Sequence, residues 1–331
     1  MAQPYGYAGQ PPYQYPGYQN GGNPYQQGPP PPGFIPQGMY FFLLQAFDAK
    51  VGGEERALLE ISKNKNSVEF ILKLEKLNYL TLVFIPPPPN HAGADTYVES
   101  GGVKSDFGFN SASVRAAFIR KVFTLVSIML MVVTLMTAMP FLHHDTMMFI
   151  RTNPLLYIMS FITFLVVFLT LTCCESVRRS FPGNLIALSV LTLAMGYMTM
   201  MLCSYHRVIS VLLCLIITLV CCVGIIIFSS QTKYDLTSMY SMVFIVGLVI
   251  TCFGIVAIIA SVAFHIKWLY TVYAGLAALL FMVHLAVDVQ EIMGGRKYEI
   301  SPEDYIFAAI QVFLDIILIF WNLLALFGSN K

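Results

Sequence analysis

From residue 114 onward the chain is a succession of apolar runs, each bounded by a short polar stretch. Seven runs of about twenty residues stand at 122–142, 154–174, 185–203, 208–228, 241–264, 268–287 and 305–326. A helix of that length reaches about 30 Å, the depth of the bilayer's hydrocarbon core. The runs are continuously apolar and do not alternate, which selects helices over barrel strands. The connections are short, so the expectation is an all-α integral membrane protein, a compact seven-transmembrane helical bundle. The chain is 57% hydrophobic and 11% charged, against about a quarter charged in a soluble domain.

Small residues within the runs, among them Gly196, Gly224, Gly247, Gly254, Ala257, Gly275 and Ala277, permit close helix approach. Lys and Arg near the span ends set orientation. Arg115, Arg120, Lys121, Arg178, Arg179, Lys233, Arg296 and Lys297 fall on one side, against Arg151, Arg207, Lys267 and Lys331 on the other. This bias predicts a cytosolic N-terminus. Seven full crossings would put the C-terminus opposite; a re-entrant last run would leave both ends in the cytosol. The net charge of +1 and the dispersed basic residues give no footprint for nucleic acid. The seven cysteines sit in or beside apolar runs, where they act as small core hydrophobes, with S-acylation of Cys173 and Cys174 at a span end as the alternative.

Residues 1–38 form a Pro/Gln/Tyr-rich tail with ten prolines, seven glutamines, six tyrosines and no charge. Such a segment buries too little apolar surface to fold and is expected to be disordered and cytosolic. Pro29 to Pro32 could form polyproline II and dock an SH3-type partner. Residues 39–110 mix apolar stretches with Glu69, Lys73, Glu75 and Lys76, too many charges for a span, and form a poorly defined insert before the transmembrane domain at 111–331.

No P-loop, HExxH, GxSxG or nucleotide fingerprint is present, so no enzyme is expected. "LHHDT" places His143, His144 and Asp145 on the loop after the first span, where a solvated loop is favoured over a metal site. Two acids lie well inside apolar runs: Asp288 in "FMVHLAVDVQEIMGG" and Asp315 in "IQVFLDIILIFWNLL", with Glu291 one turn past Asp288 near the span end. A carboxylate in hydrocarbon costs several kcal/mol, on the order of 2.5–3.5 by insertion scales. The hairpin "GGRKYEISPED" brings the two aspartates to sequential helices. Sharing a low-dielectric site, they would share a proton, which makes a pH-sensitive latch. Ionised, they would attract a divalent cation such as Ca²⁺, as a transported ion and not a cofactor. The competing reading is a protonated aspartate that hydrogen-bonds across helices for packing, and Gln290, Gln311 and Asn322 fit either. Arg178 and Arg179, at the end of the second span, are cytosolic anchors or a counter-ion for an ionised aspartate.

Several stretches resemble the transmembrane Bax inhibitor motif family, nearest its Lifeguard branch with the glutamate-receptor-associated proteins. They are "VRAAFIRKVF", "CCESVRRSFPGNLIALSVLTLAMGYM", "TKYDLTSM" and "VDVQEIMGGRKYEISPEDYIFAAIQVFLDIILIFWNLL", spread over about residues 107–330, and the tail is similar too. Residues 39–100 depart from the family. The resemblance implies six helices around a central last one. It implies a pH-gated calcium leak of internal membranes, the endoplasmic reticulum or Golgi before the endolysosome or plasma membrane, that suppresses cell death. The family's di-aspartyl sensor falls on Asp288 and Asp315, and its latching arginine on Arg178 or Arg179. Val289 stands where the family often has threonine. The alternative is a non-conducting membrane adaptor that regulates death-receptor or ER-stress signalling through its tail and cytosolic loops, the tail meeting apoptosis regulators.

Overall fold

The structure, a computed structural model, describes the backbone of residues 104–328 and the side chains from Ser113 onward, Val262 and Lys267 excepted. The tail at 1–38, its polyproline run, most of the 39–110 insert and Lys331 lie outside the described residues.

Every regular element among the described residues is helical. Besides short 3-10 turns at Thr237–Met239 and Pro302–Asp304, they are in chain order α1 (Lys104–Leu142), α2 (His144–Thr152), α3 (Pro154–Cys173), α4 (Glu175–Arg179), α5 (Gly183–Ser204), α6 (Val208–Gln231), α7 (Tyr240–Ala263), α8 (Lys267–Met293) and α9 (Tyr305–Phe327). Seven of these helices, α2 and α4 being the short ones, are long and apolar enough to cross a membrane. Local chemistry sets the boundaries. Pro154 opens α3 at a position whose N–H has no helical partner. Gly294 closes α8 with φ of 75°, a backbone that side chains with a Cβ avoid.

The spans divide into a centre and a periphery. In α9 78% of the most apolar stretch is buried, and in α8 67%, against 22% in each of α3 and α6. α9 packs on α8, α1, α6 and α5, while α3 leans on α5 and α7 on α8. Large apolar side chains on the outer helices, such as Val166, Ile216, Leu219 and Val249, are exposed to the lipid side. Lipid is as apolar as leucine, so close fit and not apolar burial holds such helices together. At Gly196 of α5 the Met136 side chain of α1 occupies the place a Cβ would take, its sulfur 2.5 Å from that position.

α5 and α9 run parallel. At one end Asn184 Nδ2 donates to the Tyr305 hydroxyl at 3.0 Å, and at the other the His206 ring lies against Gly328. Between them Trp321 Nε1 donates to Thr199 Oγ1 at 3.1 Å. The last run is therefore a full crossing of the bundle. The basic residues at the start of α1 and in the turns after α3, α6 and α8 gather at the Tyr305 end, called here the basic end. There Arg115 pairs with Glu299 at 2.7 Å, Lys121 sits 3.3 Å over the Tyr305 ring, and Arg296 Nη1 donates to Lys233 O at 2.9 Å.

Candidate functional site

The hairpin between α8 and α9 positions the site. Its backbone is tied on several sides. Arg115 Nη1 donates to Ile300 O at 2.7 Å, Ile300 N to Glu291 O at 3.1 Å, and Lys297 N to Asp235 Oδ2 at 3.3 Å. Asp235 also accepts from the Thr237 hydroxyl at 2.6 Å, a bond that pulls its carboxyl below its ordinary value. Gln290 completes the seam between α8 and the turn after α6. Its Nε2 donates to Tyr234 O at 2.9 Å and its Oε1 accepts from Leu236 N at 2.8 Å.

Within this frame α8 and α9 bring Asp288 and Asp315 together. Their carboxyl groups stand close enough to act on one another, and both residues are buried. Oδ2 of Asp315 nonetheless has no hydrogen-bond partner in the protein. Glu291 is buried as well and stands close enough for its charge to act on both aspartates and on Tyr240. The apolar-run reading ended the sixth span at residue 287 and left Glu291 near the span end. The helix continues to Met293, which carries Glu291 inside. Its one-turn spacing from Asp288 was the available signal.

The two arginines go elsewhere. Arg178 is buried and its Nε donates to Asp304 Oδ1 at 3.0 Å, with Nη1 on Thr172 O at 3.1 Å. Arg179 grips the same carboxylate with two nitrogens, Nε on Oδ1 at 3.1 Å and Nη2 on Oδ2 at 3.2 Å. It also reaches Glu175 at 2.7 Å and Glu303 at 3.1 Å. The Asp304 bond raises its guanidinium above its usual value, so its charge persists. The counter-ion of both arginines in this structure is thus Asp304 and not the Asp288–Asp315 pair. Sequence reasoning passed over Asp304 because it sits in a polar connection where an acid is ordinary. The signal was two arginines in need of an acid at the same end of the bundle.

His143, His144 and Asp145 are exposed at the start of α2. Among the described residues no three His, Cys, Asp or Glu side chains converge to hold a metal ion. All seven cysteines are free, with Cys173 and Cys174 exposed at the end of α3.

Residues 115–331 match the family described as "Inhibitor of apoptosis-promoting Bax1". The chain belongs to the Bax inhibitor family, in its Lifeguard branch. It is 37% identical over 256 residues to Protein lifeguard 3 of Homo sapiens, covering 74% of this chain and 82% of that protein. Protein lifeguard 3 of Mus musculus is also 37% identical, over 249 residues, with 74% and 81% covered. Protein lifeguard 4 of Mus musculus is 28% identical over 239 residues, 70% of this chain and 96% of that protein. The matched region takes in both aspartates and, but for the first two residues of the first, all seven spans of this Lifeguard chain.

Proposed function

We propose that this Lifeguard-family chain is a pH-sensitive cation leak of intracellular membranes, with Ca²⁺ as the ion carried, and that through it the protein moderates cell death. One observation carries the reading: two aspartates on the two most buried spans lie side by side, with one carboxyl oxygen left unpartnered. A carboxyl used only as packing glue would spend its oxygens on neighbouring helices. With both groups ionised the pair presents hard oxygens to a divalent cation. With one proton shared the pair is a closed, singly charged unit.

Ca²⁺ takes about six to eight oxygens in a stable site. Two carboxylates, with Glu291 nearby but no three acids converging to hold an ion among the described residues, fall well short, which suits passage and not storage. The buried Arg178–Asp304 pair sits at the start of α9, eleven residues before Asp315, and would brace the basic end, on the cytosolic side.

The test is Ca²⁺ flux from liposomes carrying the purified protein, between about pH 6 and pH 8. Flux should rise as the pair ionises. In Asp315→Asn the pH dependence should disappear. Equal flux in wild type and variant at every pH sinks the proposal. A silent wild type that still suppresses cell death, and loses that activity on deletion of residues 1–100, establishes the adaptor instead.

A further inference from the structure

The polar side chains of the two central spans are of two kinds. Gln290 of α8 is satisfied at both ends of its amide by the turn after α6. Gln311, Asp315 and Asn322 of α9 are not. Oε1 of Gln311, Oδ2 of Asp315 and Oδ1 of Asn322 accept no hydrogen bond from the protein, although these residues are only 6%, 5% and 0% exposed.

Asn322 excludes the simplest alternative. Its Nδ2 donates to Leu318 O at 2.7 Å, within its own helix, so the amide binds no neighbouring helix. That bond also fixes which atom is left over, since only the nitrogen can donate to a carbonyl. A leucine would fill the same place without an orphaned oxygen.

The three residues follow a geometric pattern. They are four and seven positions apart, so they fall within about 40° of one another around α9. Their rise is about 6 Å from Gln311 to Asp315 and about 10 Å on to Asn322. From Asn322 about 9 Å of helix remains to Gly328, where the His206 ring stands at the end opposite the hairpin. α8 faces the same level of the row with Asp288, and with His284 one turn along. The row thus extends the acid pair in both directions along the central helix.

We propose that Gln311 and Asn322 line a hydrated cation path along one face of α9, with Asn322 the oxygen step beyond the acid pair and Gln311 the step on the hairpin side. The carbonyl oxygen of Asn322, its nitrogen already spent, meets water or a partly dehydrated cation and repels an anion. The use of the path for flux rests on the leak reading; its hydration does not.

The experiment places cysteine at 322, at 311 and, as control, at 317, a buried residue about 200° away from Asp315 around the helix. Each protein in liposomes is exposed to a small cationic methanethiosulfonate and to its anionic counterpart. Modification of the engineered residue is read by peptide mass spectrometry, which leaves the native cysteines in place. Asn322→Cys and Gln311→Cys should react on the order of tenfold faster than Ile317→Cys, and faster with the cationic reagent. Rates equal to the control overturn the proposal. Asn322→Leu, which needs no reagent, should keep the thermal midpoint and lose most of the Ca²⁺ flux. Unchanged flux in that variant also overturns it. Fast labelling with a silent wild type defeats the leak reading and keeps the hydrated path; slow labelling with an active wild type does the reverse.

Discussion

The basic end and the middle of α9 solve the same problem in opposite ways. Both place polar side chains out of water. At the basic end each strong donor meets an acceptor: Arg178 and Arg179 share Asp304, Asn184 takes Arg178 O and Tyr305, and Arg296 takes two carbonyls of the turn after α6. Along α9 three oxygens have no protein donor at all. An unsatisfied buried group costs about 1–3 kcal/mol, and replacing it by an apolar side chain of like shape is nearly neutral. Structural need explains the first region. It does not explain the second, where stability alone would favour leucine.

That contrast can be broken most forcefully at Asp304. Asp304→Ala leaves Arg178 buried without a counter-charge and should cost about 3–5 kcal/mol, read as a large fall in the thermal midpoint in detergent. A midpoint within a degree of wild type would mean that the basic end is not held by this pair. Gln290→Leu comes next. It strips two hydrogen bonds from the turn at 234–236 and should cost about 1–3 kcal/mol, with faster amide exchange at Leu236. Asn322→Leu should instead be neutral or stabilise by up to about 1 kcal/mol, although the residue is as buried as Gln290; a loss matching that of Gln290→Leu would erase the distinction.

His206 offers a finer probe at the far end. Burial lowers its imidazole below the ordinary value, with the Leu202 carbonyl at 3.1 Å opposing. The unfolded chain therefore binds the proton more readily than the folded one. Its contribution to stability is present above about pH 6.5 and is lost as the pH falls below it. The midpoint should drop on acidification from about pH 7.5 to 5.5, and His206→Gln should remove part of that slope; an identical slope would acquit His206. The smallest effect belongs to Arg179→Gln. Its side chain is 36% exposed, so solvent screening limits the change to about 0–1 kcal/mol. A loss as large as that at Asp304 would show that Arg179, and not Arg178, carries the clasp.

Much of the architecture was legible because the bilayer demands it. Seven apolar runs predict seven helices, and each run lies within or close to an observed helix. The meeting of Asp288 with Asp315 was legible too, since a short hairpin makes its two helices neighbours. Boundaries were harder. An apolar run ends at its first acid, but a helix ends where its backbone does, and α8 passes through Asp288, Gln290 and Glu291 before Gly294 stops it. The partner of the arginines was hidden for a different reason. Asp304 lies in a stretch where charge is expected, and only folding shows that loop chemistry buried at 5% exposure. Gln311 and Asn322 were visible as polar residues in a span. Whether their oxygens were satisfied depends on neighbours from α5, α6 and α8, which no local pattern encodes.

The placement of α9 has a consequence for how the protein is made. A ribosome releases this helix after the other six spans, yet four of those spans pack around it. Until it arrives, α1, α5, α6 and α8 must stand in the membrane with their inner faces covered by lipid or by a chaperone. The mature arrangement is then reached in one late step, when a pre-assembled cup receives its core. A transcript truncated before codon 305 would yield six spans that insert but have nothing to close upon, and such a product should be cleared by quality control while its membrane topology is still correct.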